Sequence, residues 1–371
     1  MAESGLNMSR RIRRTPYTDS AEAHGVRGFS VVNHMLLPKA YAPSVEEDYW
    51  HLRTHVQIWD VAVQRQVQIT GPDTARLVQL MTPRDLRRAR VGQCLYVPLI
   101  DEHAGMLNDP VLLKLADDKF WLSIADSDIL LWAKGLAVGM GLDVAITEPD
   151  VSPLAIQGPK AEALMTDLFG SAIAALGHFE YGIFDVLGTS QVIARSGYSK
   201  QGGYEIYLEG GHLGADLWDV IWQAGQGYEI TPGCPNLIER IEGGLIPYGN
   251  EFTRANNPLE CGFAPLCHLG NEVEYIGWTA LQNIAADGPG QMLRGIKCGG
   301  GRTPPCGKPF PVTAWYGRPL GQITSGIFSP RLDCNVGMSM IAAGHWDIGT
   351  ELLVHTPDGI ARDGVIAALP F

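Results

Sequence analysis

The sequence predicts an α+β protein with a larger pseudo-symmetric α+β body and a small all-β domain at the carboxyl end. The body is predicted because a strand, a Gly-Pro pair and a helix follow one another in QITGPDTARLVQL and again in AIQGPKAEALM. The second domain is predicted because, from about residue 290, short strand patterns alternate with Gly and Pro clusters. We therefore expect a body over residues 1–285 and a β domain over residues 286–371.

The elements of the body follow from local patterns. Residues 45–57 predict a helix with Ser44 as its N-cap, and IWDVAVQRQVQITG is a strand pattern closed by Gly71. GPDTARLVQLMT predicts a second helix, and QCLYVPLIDEHAGMLNDPVLLKL predicts a hairpin around its Asp-Glu-His-Ala-Gly turn. KFWLSIA then predicts a strand and DSDILLWAKGLAVGMG a helix.

The charge balance excludes two broad classes of binding protein. The net charge is −12, from 40 acidic and 28 basic residues, which argues against a general binder of nucleic acid or anionic membranes. A basic cluster at 10–14 resembles the start of a signal peptide, but polar residues follow it where an apolar core is needed, so we expect an ordinary arm. No apolar run approaches the ~18 residues of a membrane span. We expect a soluble, cytoplasmic protein.

Motifs for metals and for common cofactors are missing. Seven cysteines are present without a C-x-x-C pair, and His51 and His55 have helical zinc-ligand spacing but no third ligand nearby. We therefore expect no metal. The sequence also contains no phosphate-binding G-x-x-x-x-G-K-[ST] loop, no dinucleotide fingerprint and no G-x-S-x-G elbow.

The stretch ARSGYSKQGGYEIYLEG predicts a glycine-rich turn followed by a strand. Alternation in the strand places Tyr204, Ile206 and Leu208 on one face and a polar set on the other. That polar set consists of Glu205, Tyr207 and Glu209. It forms either a solvated sheet face, which periodicity alone favours, or the wall of a polar pocket.

Asp109 begins an apolar strand directly before Pro110. Proline has no N–H to donate and belongs at a strand opening or a sheet edge, so the carboxylate either faces a cleft or ends a hairpin turn. If the hairpin forms, Tyr96 on the preceding strand lies within reach across the ladder.

The run NLIERIEGGLIPYGNEF predicts an amphipathic helix with Gly249 near its end. Its apolar face consists of Ile238, Ile241, Leu245 and Tyr248. Its polar side consists of Glu239, Arg240 and Glu242, and the plain interpretation is a solvated helix carrying salt bridges.

Taken in order, these blocks resemble the glycine cleavage T-protein (aminomethyltransferase) family. The resemblance lies in IWDVA with QITGPDTARLVQLM, in Tyr96 before the Asp109 of GMLNDP, in AIQGPKAEALM and SGYSKQGGYEI, and in RIEGGLIPYGNEF with NPLECGF. YIGWTALQ and ITSGIFSP complete a set that covers nearly the whole chain. The resemblance implies a body of two interwoven folate-binding subdomains, followed by a C-terminal β-barrel.

Within the family the wording is most similar to the tetrahydrofolate-dependent dimethylsulfoniopropionate demethylase branch, in VVNHMLLPK, MTPRDL, WLSIADSDILLWAKGLA and GCPNLIERIEGGL. The resemblance implies transfer of a methyl group from a sulfonium to N5 of tetrahydrofolate. The products would be methylmercaptopropionate and 5-methyltetrahydrofolate. The implied partners are the sulfonium substrate and folate, with a homodimer possible and with neither nucleic acid nor membrane.

The same resemblance assigns roles to six residues. It implies a catalytic role for Asp109, folate binding by Tyr96, Glu205 and Arg240, and substrate binding by Tyr198 and Tyr207. Glu205 would grip the pterin ring, and the two substrate-binding tyrosines would hold the cationic sulfur by their ring faces. Arg240 would serve either folate or the substrate carboxylate. Tyr198 stands where the branch commonly has Trp.

Three alternatives remain at this point. One keeps folate as the acceptor and changes the donor to an N-methyl or O-methyl compound. Another is an aminomethyltransferase like the T-protein itself. The third is a folate-binding protein without catalysis, which has no need for a sulfonium cage.

Overall fold

The computed structural model describes residues 9–371. Its helices are α1 (Thr18–Ala23), α2 (Val45–Thr54), α3 (Thr74–Met81), α4 (Ile129–Met140), α5 (Ala161–Phe169), α6 (Gly214–Gly225), α7 (Leu237–Glu242) and α8 (Trp278–Asp287). Its strands are β1 (Gly28–Val32), β2 (Met35–Ala40), β3 (Val56–Asp60), β4 (Gln66–Thr70), β5 (Cys94–Tyr96), β6 (Leu99–Ile100), β7 (Met106–Asn108), β8 (Val111–Ala116), β9 (Lys119–Ser123), β10 (Ala145–Thr147), β11 (Val151–Gln157), β12 (Tyr181–Val186), β13 (Thr189–Ala194), β14 (Gly203–Glu209), β15 (Ile230–Gly233), β16 (Gln291–Cys298), β17 (Phe310–Thr313), β18 (Pro319–Ser329), β19 (Cys334–Ala342), β20 (Glu351–His355) and β21 (Ala361–Ala367).

The first compact unit, called unit 1 here, comprises Met1–Gln66, Pro149–Gly197 and Gln201–Cys234. Its six-stranded sheet has the order β12-β13-β14-β11-β3-β15, antiparallel except for the β3–β15 pair. The apolar face of β14 packs with buried side chains of α5 and α6 in one core. Each fully buried aliphatic side chain in such a core contributes about 1.5–3 kcal/mol. This core holds β14 rigidly at the middle of the sheet.

The second unit, unit 2, comprises Val67–Glu148, Tyr198–Lys200 and Pro235–Phe371. Its five-stranded sheet has the order β10-β4-β9-β8-β5. Helix α4 buries Ile129, Ala133 and Ala137, which are spaced four residues apart, in a core shared with α3. The expected hairpin is confirmed, since β6 pairs with β7 and β5 pairs with β8.

The carboxyl-terminal part of unit 2 is a closed barrel of the order β16-β19-β18-β17-β20-β21. Its first strand, β16, begins at Gln291, close to the shift in composition near residue 290. Gly321 permits close strand approach, since a Cβ there would lie 2.0 Å from the carbonyl oxygen of Met340. Alternate residues fill the interior with aliphatic side chains.

The helix predicted after Ser44 and both strand–helix repeats are confirmed. Ser44 accepts a hydrogen bond from the Glu47 amide, and the repeats form β4 with α3 and β11 with α5. The strand pattern IWDVAVQRQVQITG, however, forms two strands in two different sheets. The Asp60 carboxylate accepts from the Ala62 amide, and the Gln64 amide donates to the Val61 carbonyl, so a turn interrupts the run.

The helix predicted over NLIERIEGGLIPYGN is shorter than its pattern and is not solvated. Helix α7 ends at Glu242, because Gly244 adopts a φ of 62° and the Leu245 amide returns to the Arg240 carbonyl. Its Glu239, Arg240 and Glu242 side chains are all buried. Leu245 and Tyr248 lie beyond the helix, and Gly249 belongs to a separate turn. The solvated interpretation is therefore wrong.

None of the helices within residues 9–371 has the length and apolar character needed to cross a membrane.

Candidate active site

Asp109 and Tyr96 form a buried pair in unit 2. Asp109 lies between β7 and β8, is 7% exposed, and accepts a hydrogen bond on Oδ2 from the Tyr96 hydroxyl. This confirms the contact predicted across the ladder and excludes a solvated turn. The other carboxylate oxygen, Oδ1, is buried and has no hydrogen-bond partner among residues 9–371. An unpaired buried acceptor of this kind is costly to keep and is a feature of sites that bind a donor.

The neighbouring Asn108 fixes the backbone on which Asp109 sits. Its Oδ1 accepts from the amides of Asp109 at 3.0 Å and Ala125 at 2.9 Å, and its Nδ2 donates to the Ala125 carbonyl at 3.0 Å. Tyr96 is held separately by an edge-to-face contact with Phe263, with ring centroids 5.4 Å apart. Both members of the pair are therefore held before any ligand arrives.

Burial dominates the electrostatics of the pair. It raises the pKa of Asp109 to about 7, against the Tyr96 hydrogen bond, which favours the charged form. The negative charge of Glu251 raises the pKa of Asp109 further. Burial and the nearby Asp109 carboxylate likewise hold the pKa of Tyr96 well above its usual range. Near neutral pH, Asp109 thus has access to both protonation states.

Tyr198 and Arg240 meet at one backbone carbonyl of unit 2. The Tyr198 hydroxyl donates to the carbonyl oxygen of Leu245 at 3.0 Å, and Nη1 of Arg240 donates to the same oxygen at 3.2 Å. Nη1 also lies 3.0 Å from Oε2 of Glu251, whose side chain is fully buried. Burial raises the pKa of Glu251, opposed by Arg240.

A serine of the barrel completes this cluster. Nη2 of Arg240 donates to Oγ of Ser325 at 2.6 Å, and the Ser325 hydroxyl donates to Oε1 of Glu251. Ser325 lies on β18, whereas Arg240 lies on α7. Sequence reasoning missed both Glu251 and Ser325. The signal for Glu251 was a carboxylate directly after the Gly-Asn turn of YGNEF; for Ser325 the surrounding strand pattern offers none.

Glu205 and Tyr207 lie side by side on β14 in unit 1. They are 4% and 0% exposed, so the solvated-face interpretation is wrong for both, although Glu209 is exposed. Burial raises the pKa of Glu205, while hydrogen bonds from Ser196 and Gln64 favour its charged form. The face therefore carries a carboxylate held by neutral donors.

Glycines in the turn before β14 and at its first residue are required by close packing around Gln157. Gly197 and Gly203 both have φ of 153°, and a Cβ would lie 2.0 Å from Nε2 of Gln157 at Gly197 and 2.4 Å from the Ile156 carbonyl oxygen at Gly203. Gln157 in turn donates to the Ser196 carbonyl at 3.1 Å. This packing places Ser196 where its hydroxyl donates to Oε2 of Glu205.

The structure thus distributes the six predicted residues over two units. Tyr96, Asp109, Tyr198 and Arg240 belong to unit 2, and Glu205 and Tyr207 belong to unit 1. The two histidines lie elsewhere, with His55 beside Glu229 at 3.2 Å and His51 beside Thr231 at 3.1 Å. Within residues 9–371, no group of three or more His, Cys, Asp or Glu side chains is arranged to hold a metal ion.

Two family models match this chain. The model described as the GCVT N-terminal domain matches residues 17–271, and the glycine cleavage T-protein C-terminal barrel domain matches residues 293–371. The chain is 49% identical over 352 residues to the dimethylsulfoniopropionate demethylase DmdA of Ruegeria pomeroyi, with 95% of both chains covered. It is 30% identical over 320 residues to an aminomethyltransferase of Herpetosiphon aurantiacus, covering 85% of this chain and 86% of that one.

One solved structure shares the fold. The crystal structure of glycine cleavage system aminomethyltransferase T from Bartonella henselae superposes with a TM-score of 0.85. The match covers 97% of this chain and 98% of that chain at 22% sequence identity. At that identity the likeness concerns the fold, including the α+β body and the closed barrel.

Proposed function

The chain belongs to the glycine cleavage T-protein family, and on that premise we propose that it is a tetrahydrofolate-dependent demethylase of dimethylsulfoniopropionate. The sulfonium loses a methyl group to N5 of tetrahydrofolate, which gives methylmercaptopropionate and 5-methyltetrahydrofolate. The N5 lone pair forms the new N–C bond, the C–S electron pair stays on sulfur, and N5 then releases its proton to solvent. No redox change accompanies the transfer. The near full-length similarity to a dimethylsulfoniopropionate demethylase supports the proposal.

The structural observation that carries the proposal is the buried Asp109 carboxylate. One oxygen is held by Tyr96, and the other has no partner among the described residues. Such a half-satisfied acceptor fits a ligand that brings an N–H group, as a reduced pterin does. Its negative charge is also suited to stabilising positive charge that develops on an attacking nitrogen. We assign Asp109 the catalytic role and Tyr96 the role of orienting it.

Glu205 is proposed as the acceptor for the pterin ring edge. A carboxylate accepts two parallel hydrogen bonds from a planar donor edge, which combines strength with orientation. Ser196 and Gln64 favour the ionised form of Glu205 and occupy part of its hydrogen-bonding capacity. They thereby fix the carboxylate in one direction.

Tyr198 and Tyr207 are proposed to face the cationic donor. Aromatic ring faces attract cations, and a desolvated contact of this kind contributes up to about 2 kcal/mol. Trp is the stronger partner, so Tyr198 predicts a weaker grip on the donor than the Trp common in the demethylase branch. Arg240 stays in the proposed site, but its internal contacts favour a supporting role over direct contact with folate or with the donor carboxylate.

The chemical demand on the protein is modest. A methyl sulfonium is already an activated electrophile, so the protein mainly aligns the acceptor nitrogen, the methyl carbon and the sulfur. Positioning alone supplies several kcal/mol in well-oriented reactions, up to roughly 7–11 kcal/mol. The rigid placement of Asp109 by Asn108 and of Tyr96 by Phe263 serves this alignment.

Mass detection of 5-methyltetrahydrofolate tests the proposal. The protein is mixed with tetrahydrofolate and, in parallel reactions, with dimethylsulfoniopropionate, glycine betaine or an aryl methyl ether. We expect 5-methyltetrahydrofolate and methylmercaptopropionate in equal amounts from the sulfonium alone. Turnover of the betaine without turnover of the sulfonium would assign the protein to another donor, and binding of folate without any product would refute catalysis.

A further inference from the structure

The Arg240 guanidinium is a junction between the barrel and the residues proposed to act on substrates. Its Nη2 donates to Ser325 on β18, and its Nη1 donates both to Glu251 and to the Leu245 carbonyl. Both terminal nitrogens of Arg240 thus donate to acceptors within the protein. A guanidinium held in a fork of this kind has little freedom to reorient toward a ligand.

The Leu245 carbonyl links Arg240 to Tyr198. Its oxygen accepts from Arg240 at 3.2 Å and from the Tyr198 hydroxyl at 3.0 Å, so both lone pairs of the carbonyl are occupied. The Leu245 amide also donates to the Arg240 carbonyl at 2.9 Å, so a backbone hydrogen bond closes the turn over residues 240–245. The orientation of the Tyr198 ring therefore depends on where Arg240 is held.

The negative charge of the fully buried Glu251 also acts on Asp109. Asp109 is faced by the Tyr96 hydroxyl from β5, by Glu251, and by the backbone of Tyr248. It also interacts with Tyr198 and Cys261. Within this set Glu251 is the carboxylate that disfavours ionisation of Asp109. The Arg240–Glu251 pair thus contacts the carbonyl that holds Tyr198, and the charge of Glu251 acts on Asp109.

We propose that Glu251, Arg240 and Ser325 are positioning residues for methyl transfer, which tie Tyr198 to the barrel through the Leu245 carbonyl and adjust the charge environment of Asp109. The proposal rests on the roles given above to Tyr198 and Asp109. A buried ion pair adds little net stability when its desolvation is counted, so we assign this pair a role in orientation.

A double-mutant cycle tests the tie to Tyr198. Ser325→Ala should raise the KM for the sulfonium about fivefold, the effect of one lost hydrogen bond, with kcat changed less than about twofold. Tyr198→Phe keeps the ring but removes its hydrogen bond to the Leu245 carbonyl. Adding Ser325→Ala to Tyr198→Phe should therefore raise the KM little further. Ser339→Ala is the matched control, because Ser339 is a buried barrel serine whose hydroxyl donates to the Met340 carbonyl at 3.3 Å.

Independent effects of the two substitutions on KM would overturn the proposal, as would an equal effect of Ser339→Ala. The assay requires wild-type turnover of the sulfonium, so absence of wild-type product refutes the proposed function instead. Failure of the positioning proposal is therefore distinguishable from failure of the proposed function.

Glu251→Gln gives a readout that needs no turnover. In ligand-free protein, the carboxyl carbon signal of Asp109, assigned by its loss in Asp109→Asn, should titrate at least about half a pH unit lower in Glu251→Gln. The direction follows because a negative neighbour is removed while Arg240 keeps its positive charge. An unchanged midpoint would contradict the electrostatic part of the proposal. If Glu251→Gln does not fold, the Ser325 cycle decides, since Ser325→Ala keeps the ion pair.

Discussion

At the scale of single residues, the environment of Asp109 determines when it can act. A carboxyl group in an apolar surrounding prefers its neutral form, and burial here raises the pKa of Asp109 to about 7. Stabilising positive charge on a nitrogen requires the ionised form. Because Asp109 ionises in the free enzyme, catalytic activity should increase as pH rises through neutrality.

Because kcat/KM reports ionisations of the free enzyme, we expect it to rise with pH around 7 and to level off above about 8. Asp109→Asn should lower kcat by roughly a hundredfold and remove this acid limb. Its affinity for tetrahydrofolate, measured by calorimetry, should change by less than about tenfold.

The assignment of Asp109 is wrong if the Asn variant binds folate normally and keeps near wild-type turnover. Asn108→Ala is a useful comparison, because it keeps the carboxylate but removes the side chain that holds the Asp109 amide. It should lower activity while keeping the acid limb.

Sequence reasoning reached the Asp109–Tyr96 pair because a hairpin brings defined positions together across a ladder. It did not reach Ser325, since β18 and α7 are far apart along the chain and no periodicity joins a helix to a barrel strand. It also misjudged Glu239, Arg240 and Glu242. Charged side chains are usually solvated, and their burial depends on partners contributed by distant elements.

At the scale of elements, the entry into β14 depends on two neighbouring glycines for different reasons. A Cβ at Gly203 would lie 2.4 Å from the Ile156 carbonyl oxygen, which is backbone and has little room to move. At Gly202, with φ of 82°, a Cβ meets nothing within 4 Å. Alanine substitutions at these two neighbours therefore distinguish the cost of a steric clash from the cost of an unfavourable φ.

Gly203→Ala should destabilise the protein by roughly 2 kcal/mol or more, because it adds a clash to an unfavourable φ. Gly202→Ala, with strain but no clash, should cost about 1 kcal/mol. Denaturant unfolding measures both. Equal losses would show that the contact with Ile156 relaxes without cost.

The same turn explains why some elements were predictable and others were not. The glycines of SGYSKQGGYEI indicated a sharp turn into a strand, and that strand is β14. The run IWDVAVQRQVQITG offered no Gly or Pro at its middle, so the break after Asp60 was not visible. That break is made by a side chain bonding to the backbone, a choice that single-sequence patterns rank poorly.

At the scale of the whole molecule, buried carboxyl groups with raised pKa values link folding to pH. Burial raises the pKa of Asp60 in unit 1 and of Asp109 in unit 2 to about 7 each. Both values lie above the unfolded-chain value of about 3.9. Their stability contribution is therefore fully present below about pH 4 and is lost as pH rises through the folded pKa.

Asp60→Asn isolates this effect away from Asp109. Asparagine can still accept from the Ala62 amide and can donate to Thr15, the two present partners of Asp60. Relative to wild type, the variant should gain about 2–3 kcal/mol of stability between pH 5 and pH 7, visible as a growing difference in Tm. A difference in Tm that is constant across this range would contradict a raised pKa for Asp60.

The pairing of β3 bears on how the chain acquires its structure during synthesis. This strand lies between β11 and β15, so its neighbours emerge from the ribosome about 90 and 170 residues after it. The sheet of β4, β5, β8, β9 and β10, in contrast, draws all its strands from one continuous stretch. The later segment can thus complete its sheet before β3 has either neighbour, so β3, which is buried in the folded protein, stays unpaired in the nascent chain until then.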